Sequence, residues 1–198
     1  MSKKGHITTG FTLIETMVAV SILALAVSGP LLTANRAIVA AEISRDQLTA
    51  SYLAQEGIEY VRAMRDDEYL KLYVGGDTST AWTNFLNVIS PCRATVSSPS
   101  QACSFDPVGT GGVPSLSACP AGSCPQLHLA NNGATNYYTT NPSAPGITAS
   151  TAFTRTIRVV GAGSEATPQD VRVVSTLTWS FHGTPYVVTV TGHLTPWQ

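Results

Sequence analysis

Gly10-Phe11-Thr12-Leu13-Ile14-Glu15-Thr16-Met17-Val18-Ala19 places a single carboxylate at the lip of a long apolar run. From Thr16 to Asn35 no side chain is charged, a stretch of about 20 residues, which is the length a helix needs to cross a bilayer core. An unpaired carboxylate in hydrocarbon costs at least about 3 kcal/mol, so Glu15 needs a partner and is the first candidate for a functional residue. An amino terminus is the partner its position suggests.

Upstream, Met1 to Gly10 is short and polar, carries Lys3, Lys4 and His6, and has no apolar core of its own. A secretory signal puts its apolar segment before the cleavage site; here the glycine comes first and the apolar segment follows. Cutting after Gly10 would keep the membrane helix, discard Lys3 and Lys4, and create a cationic amine on Phe11, four residues from Glu15. Amine and carboxylate desolvated together recover much of the cost of burial, whereas either alone would shift its pKa and discharge. Such pairing also checks register, because axial slippage strands a charge.

Lys3, Lys4 and Gly10 followed by Phe11-Thr12-Leu13-Ile14-Glu15 resemble the processing site of type IV prepilins and type II secretion pseudopilins. The resemblance covers roughly residues 1 to 35 by motif and extends to about residue 72 by helical character. It implies cleavage between Gly10 and Phe11 by a membrane-embedded prepilin peptidase, N-methylation of Phe11 by the same enzyme, and use of Glu15 to neutralise a neighbouring subunit's terminal amine. It also implies an inner-membrane assembly platform and other pilin subunits as partners.

The chain has 198 residues, 12% charged side chains and a formal net charge of −1. Loss of Lys3 and Lys4 leaves nine basic against twelve acidic side chains, so no general attraction for nucleic acid is expected. Lysines before the anchor would hold the amino end in the cytoplasm and send the remainder outward.

Beyond the anchor an amphipathic pattern continues the helix to about Leu72. Ala50, Leu53, Ala54, Gly57, Ile58, Val61 and Met64 form one apolar stripe at three- and four-residue spacing, suited to packing on a sheet. Gly29-Pro30 interrupts the first half, because proline cannot donate to the carbonyl four residues back; a kink or local unwinding is expected near Ala26 to Pro30. The resemblance implies a helix that loosens there on filament packing. Ala24 and Ser28 make a small-xxx-small pair, a weak signal of close helix contact.

Gly75-Gly76 ends the helical half, and Thr78 to about Thr151 is rich in Ser, Thr, Pro, Gly and Asn. This segment reads as ordered, loop-heavy surface, with Trp82, Phe85, Leu86, Val88 and Ile89 as apolar anchors and four cysteines as staples. Cys92, Cys103, Cys119 and Cys124 allow three connectivities. Short loops close at least entropic cost, which favours Cys92 with Cys103 and Cys119 with Cys124. Zinc, with His128 as an extra ligand, is the competing reading, but no tight two-residue cysteine knuckle is present. Pilins often close a carboxyl-terminal loop with a disulfide; here no cysteine follows Cys124, so no receptor-binding loop is carried over.

The last third reads as sheet. Phe153, Ile157 and Val159 form one alternating run, Val171, Val173, Leu177, Trp179 and Phe181 a second, and Tyr186, Val188, Val190 and Leu194 a third. His182-Gly183-Thr184-Pro185 marks a tight hairpin between the second and third runs, and Gly161 to Gln169 links the first two. Trp179 and Trp197 read as core or rim aromatics, His182 as a turn residue and His193 as a solvent-facing strand residue. Gly161-Ala162-Gly163-Ser164-Glu165-Ala166 imitates a dinucleotide fingerprint, but Thr167-Pro168 and a strand follow where a helix must begin.

The expected fold is α+β: a pilin-like lollipop, with one long amino-terminal helix packed on an antiparallel sheet with disulfide-tied loops. Its segments are a leader (1–10), a transmembrane or filament-core half-helix (11–35), an amphipathic half-helix (36–74), a loop-rich cysteine region (75–152) and a β-meander (153–198). Together with the resemblance this describes a non-enzymatic filament subunit needing no cofactor or metal. It would be a single-pass cytoplasmic membrane protein before assembly and part of a cell-surface filament afterwards. A secretion pseudopilin and a membrane-anchored adhesive domain are the alternatives.

Overall fold

The computed structural model describes residues 10–75, 78–94, 101–108, 114–119, 123–161 and 169–196. The leader before Gly10, Gly76, most of the loop from Gly161 to Gln169, and Trp197 lie outside them. The chain divides into two compact units, Met1–Arg45 and Asp46–Gln198. One helix, α1 (Leu13–Tyr73), runs through both.

In the first unit α1 is exposed from Leu13 to Glu42, with Ile43 half-buried. It does not unwind at Gly29-Pro30, where a break is expected from the sequence: helical structure continues on both sides of Pro30. Proline forfeits one backbone bond while its neighbours keep theirs, and the Thr33 hydroxyl donates to the carbonyls of Gly29 and Pro30 at 3.1 and 2.9 Å.

In the second unit the predicted stripe is the buried face of α1. Ala50, Leu53, Ala54, Gly57, Ile58, Val61 and also Tyr69 are buried, with Met64 packed at the margin. They lie on a seven-stranded sheet built around β5 (Ile147–Gly161), β6 (Val171–Phe181) and β7 (Thr184–Leu194). β5 pairs antiparallel with β6 from Thr154↔Thr178 to Gly161↔Val171, and β6 with β7 along its whole length. Side chains alternate as a pleated strand requires: Phe153, Ile157, Val159, Val171, Val173, Leu177 and Trp179 face the core. Each such large side chain removed from water contributes roughly 1.5–3 kcal/mol. The β6–β7 turn is only His182-Gly183, at φ 49° and 80°. Two positive φ values are the geometry that suits the twist of a two-residue hairpin.

The segment 75–152 holds more structure than its loop-rich composition suggests. α2 (Ala81–Val88) buries Ala81, Trp82, Phe85 and Leu86 and leads into a 3-10 turn, Ser90–Cys92. β1 (Cys103–Asp106), β2 (Ser115–Ala118), β3 (Gln126–Asn131) and β4 (Asn136–Thr139) join the sheet. Thr154 pairs with Gln126 as well as Thr178, and Ile157 with Cys103 as well as Ser175. β3 and β1 therefore follow one another along the same edge of β5, with β2 outside β1 and β4 outside β3. β5 begins at Ile147, before the apolar run, because its polar first half is held by β3.

Candidate functional site

Thr12 starts α1. The Glu15 amide donates to the Thr12 carbonyl at 3.1 Å and to its hydroxyl at 3.3 Å, and the Thr16 amide to the Thr12 carbonyl at 3.2 Å. Thr12 is thus the N-cap and Glu15 the third helical residue, the Thr-x-x-Glu spacing of a capping box. That spacing is legible in the sequence, where the charge of Glu15 overshadows it. A carboxylate in the first turn is also favoured by the helix dipole.

Around Glu15 the surface is apolar and uncovered. Phe11 is 80% exposed and Ile14 68%, and Glu15 shares a shallow groove with Ile14, Val18, Ala19 and Ile22. The hydroxyls of Thr16, Ser21 and Ser28 donate back to the carbonyls of Leu13, Met17 and Leu25 at 2.8, 2.8 and 3.0 Å. Satisfied internally, they are compatible with hydrocarbon. No hydrogen bond or ion pair from the described residues reaches the Glu15 carboxylate, which leaves it the group in this stretch that calls for an outside partner. A Cβ added at Gly10 would meet nothing within 4 Å, so packing does not demand glycine there.

The cysteines lie elsewhere, in the second unit. Cys92 is bonded to Cys103 and Cys119 to Cys124, with Cα separations of 4.8 and 4.7 Å. This is the pairing that short-loop closure favours, and it consumes all four thiols. The Cys119 amide donates to the Ala102 carbonyl at 2.9 Å, which sets the two bridges side by side.

One charged group escaped the sequence reading altogether. Arg155 alternates with Phe153 and Ile157 on the core face of β5, and its side chain is 0% exposed. Its Nη1 donates to the Leu53 carbonyl at 3.1 Å and to Glu56 Oε2 at 2.5 Å, while Nη2 donates to the Phe105 carbonyl at 3.3 Å. The guanidinium also lies 4.7 Å from the centroid of the Phe105 ring. Burial lowers its pKa, and Glu56 and then Asp106 oppose that shift. Asp106 in turn accepts from the Thr139 hydroxyl at 3.0 Å on both carboxylate oxygens. An arginine interrupting an apolar alternation was the available signal.

Compared with known proteins, residues 8–29 match the family described as the prokaryotic N-terminal methylation motif, the prepilin-type signature. No curated protein and no solved structure matches the chain. The match takes in Gly10, Phe11 and Glu15, and the chain bears a prepilin-type methylation motif that runs into the first half of α1, whose following half packs on an antiparallel sheet.

Proposed function

We propose that this chain is a structural subunit of a type IV pilus-like filament, a major or minor pilin, stored in the cytoplasmic membrane and assembled through α1. Hydrolysis of the Gly10–Phe11 bond by a prepilin peptidase releases the leader and frees the Phe11 amine, which is then methylated and stays cationic. In the membrane, Thr16 to Asn35 spans the hydrocarbon with the amino end on the cytoplasmic side. On assembly, the terminal amine of one subunit meets Glu15 of a neighbour, and repetition of that heterologous contact extends an open helical array.

The observation that carries this reading is the lone carboxylate of Glu15 in uncovered apolar surface, four residues after Phe11 and inside the matched motif. Mass spectrometry of the native amino terminus, on protein from filaments sheared from cells, tests it. The expected result is a chain beginning at N-methylated Phe11 and abundant in the sheared fraction. An intact leader would overturn the reading in favour of an anchored domain. A processed chain confined to the cell envelope would mark a secretion pseudopilin instead.

A further inference from the structure

We propose that Arg155 locks the axial register of α1 on the sheet. The stripe Ala50, Leu53, Ala54, Gly57, Ile58 and Val61 repeats at three- and four-residue intervals. A slide by one helical turn, about 5.4 Å, therefore presents apolar residues to the sheet again. Burial of apolar area is non-directional and discriminates weakly between such positions.

Steric fit discriminates as well, without fixing a direction. A Cβ at Gly57 would stand 2.7 Å from the Ser175 hydroxyl, and one at Gly192 2.9 Å from Ile58 Cγ2. The Ser175 hydroxyl can rotate away, whereas Ile58 Cγ2 branches at Cβ on a helix, where χ1 is stiff, so packing contributes to the register at Gly192. The guanidinium is different, because its bonds are directional and reach three elements: α1 through Leu53 and Glu56, β1 through Phe105, and β5 through its own backbone. Its Nε has no partner among the described residues, so the charge depends on those contacts.

A slide in one direction brings Leu53 and Tyr52 to the place of Glu56. In the other it brings Tyr60 and Glu59, the latter rotated by roughly 60° about the axis at 100° per residue and already held by Arg62 at 2.6 Å. Either slide takes the carboxylate from a fully buried cation, a strongly unfavourable change. Every residue in this argument lies within Asp46–Gln198, so the inference does not rest on the filament reading.

The test is methyl NMR on the full chain in detergent micelles, using the nuclear Overhauser contact between the Ile58 Cγ2 methyl and the Gly192 α-protons as the register marker. Arg155→Met has similar length and no charge to strand, and Glu56, 43% exposed, stays hydrated. The expected result is a folded protein in which that cross-peak falls to half or less and Ala54 or Val61 gains contact with Gly192. A cross-peak kept above half of its wild-type intensity would overturn the lock and assign register to packing alone. Should Arg155→Met not fold, Arg155→Lys decides: a folded lysine variant with the wild-type contact supports the charge, and failure of lysine too overturns it.

Discussion

A carboxylate set in uncovered apolar surface at residue 15 and a guanidinium buried at residue 155 each make a prediction. Glu15→Val should insert in the membrane as well as the parent yet enter filaments poorly. Immunoblots of membrane and sheared fractions would show this, and normal incorporation would refute the role proposed for Glu15. Glu56→Ala should destabilise the folded chain by about 3 kcal/mol, the low end for breaking a buried pair, because Glu56 is itself half in water; urea midpoints measure it. Tyr60 adds a pH signature. It stacks on Phe105 with ring centroids 3.5 Å apart, and burial, then the Asp106 carboxylate, raises its phenol from 10.0 to about 12. The folded state holds that proton more tightly than the unfolded state. Its contribution to stability is therefore full below pH 10 and lost as pH rises from about 10 to about 12. Urea titrations across that window should show the loss in the parent and a smaller one in Tyr60→Phe.

Among elements, the disulfides invite comparison, because their loops differ in length. The chain-entropy relation assigns about 3 kcal/mol to Cys92–Cys103, with a separation of 11 residues, and about 2 kcal/mol to Cys119–Cys124, with a separation of 5. Cys92→Ala with Cys103→Ala should therefore lower the urea midpoint further than the second double variant. How legible each element was follows from its length and period. α1 and β5–β7 are long, and their apolar residues recur at 3.6 or 2, so stripe, alternation and hairpin could all be read in advance. β1 is four residues long and buried on both faces, which erases alternation. β2 and β4 have four residues each and offer too little pattern to separate from loop. α2 shows in the sequence as the anchors Trp82, Phe85, Leu86, Val88 and Ile89, of which Val88 is exposed and blurs the helical spacing of the others. At the N-terminus the motif was plain, whereas Arg155 was not, because its partners lie about 50 and 100 positions away and no local spacing announces them.

As a whole molecule the chain joins a stretch with an apolar, uncovered surface to a unit with its own core. Residues 46–198 produced alone should stay monomeric in water with native strand content, checked by size exclusion and circular dichroism. The full chain should need detergent or membrane, and aggregation of the shorter chain would contradict the self-sufficiency of that core. The paired cysteines have a further effect. Arg93 lies inside the ring closed by Cys92 and Cys103, so a protease that cuts after it severs the backbone without separating the pieces. A chain cut there would still migrate as one species until a reductant is added, and its two pieces would share one fate in surroundings rich in proteases.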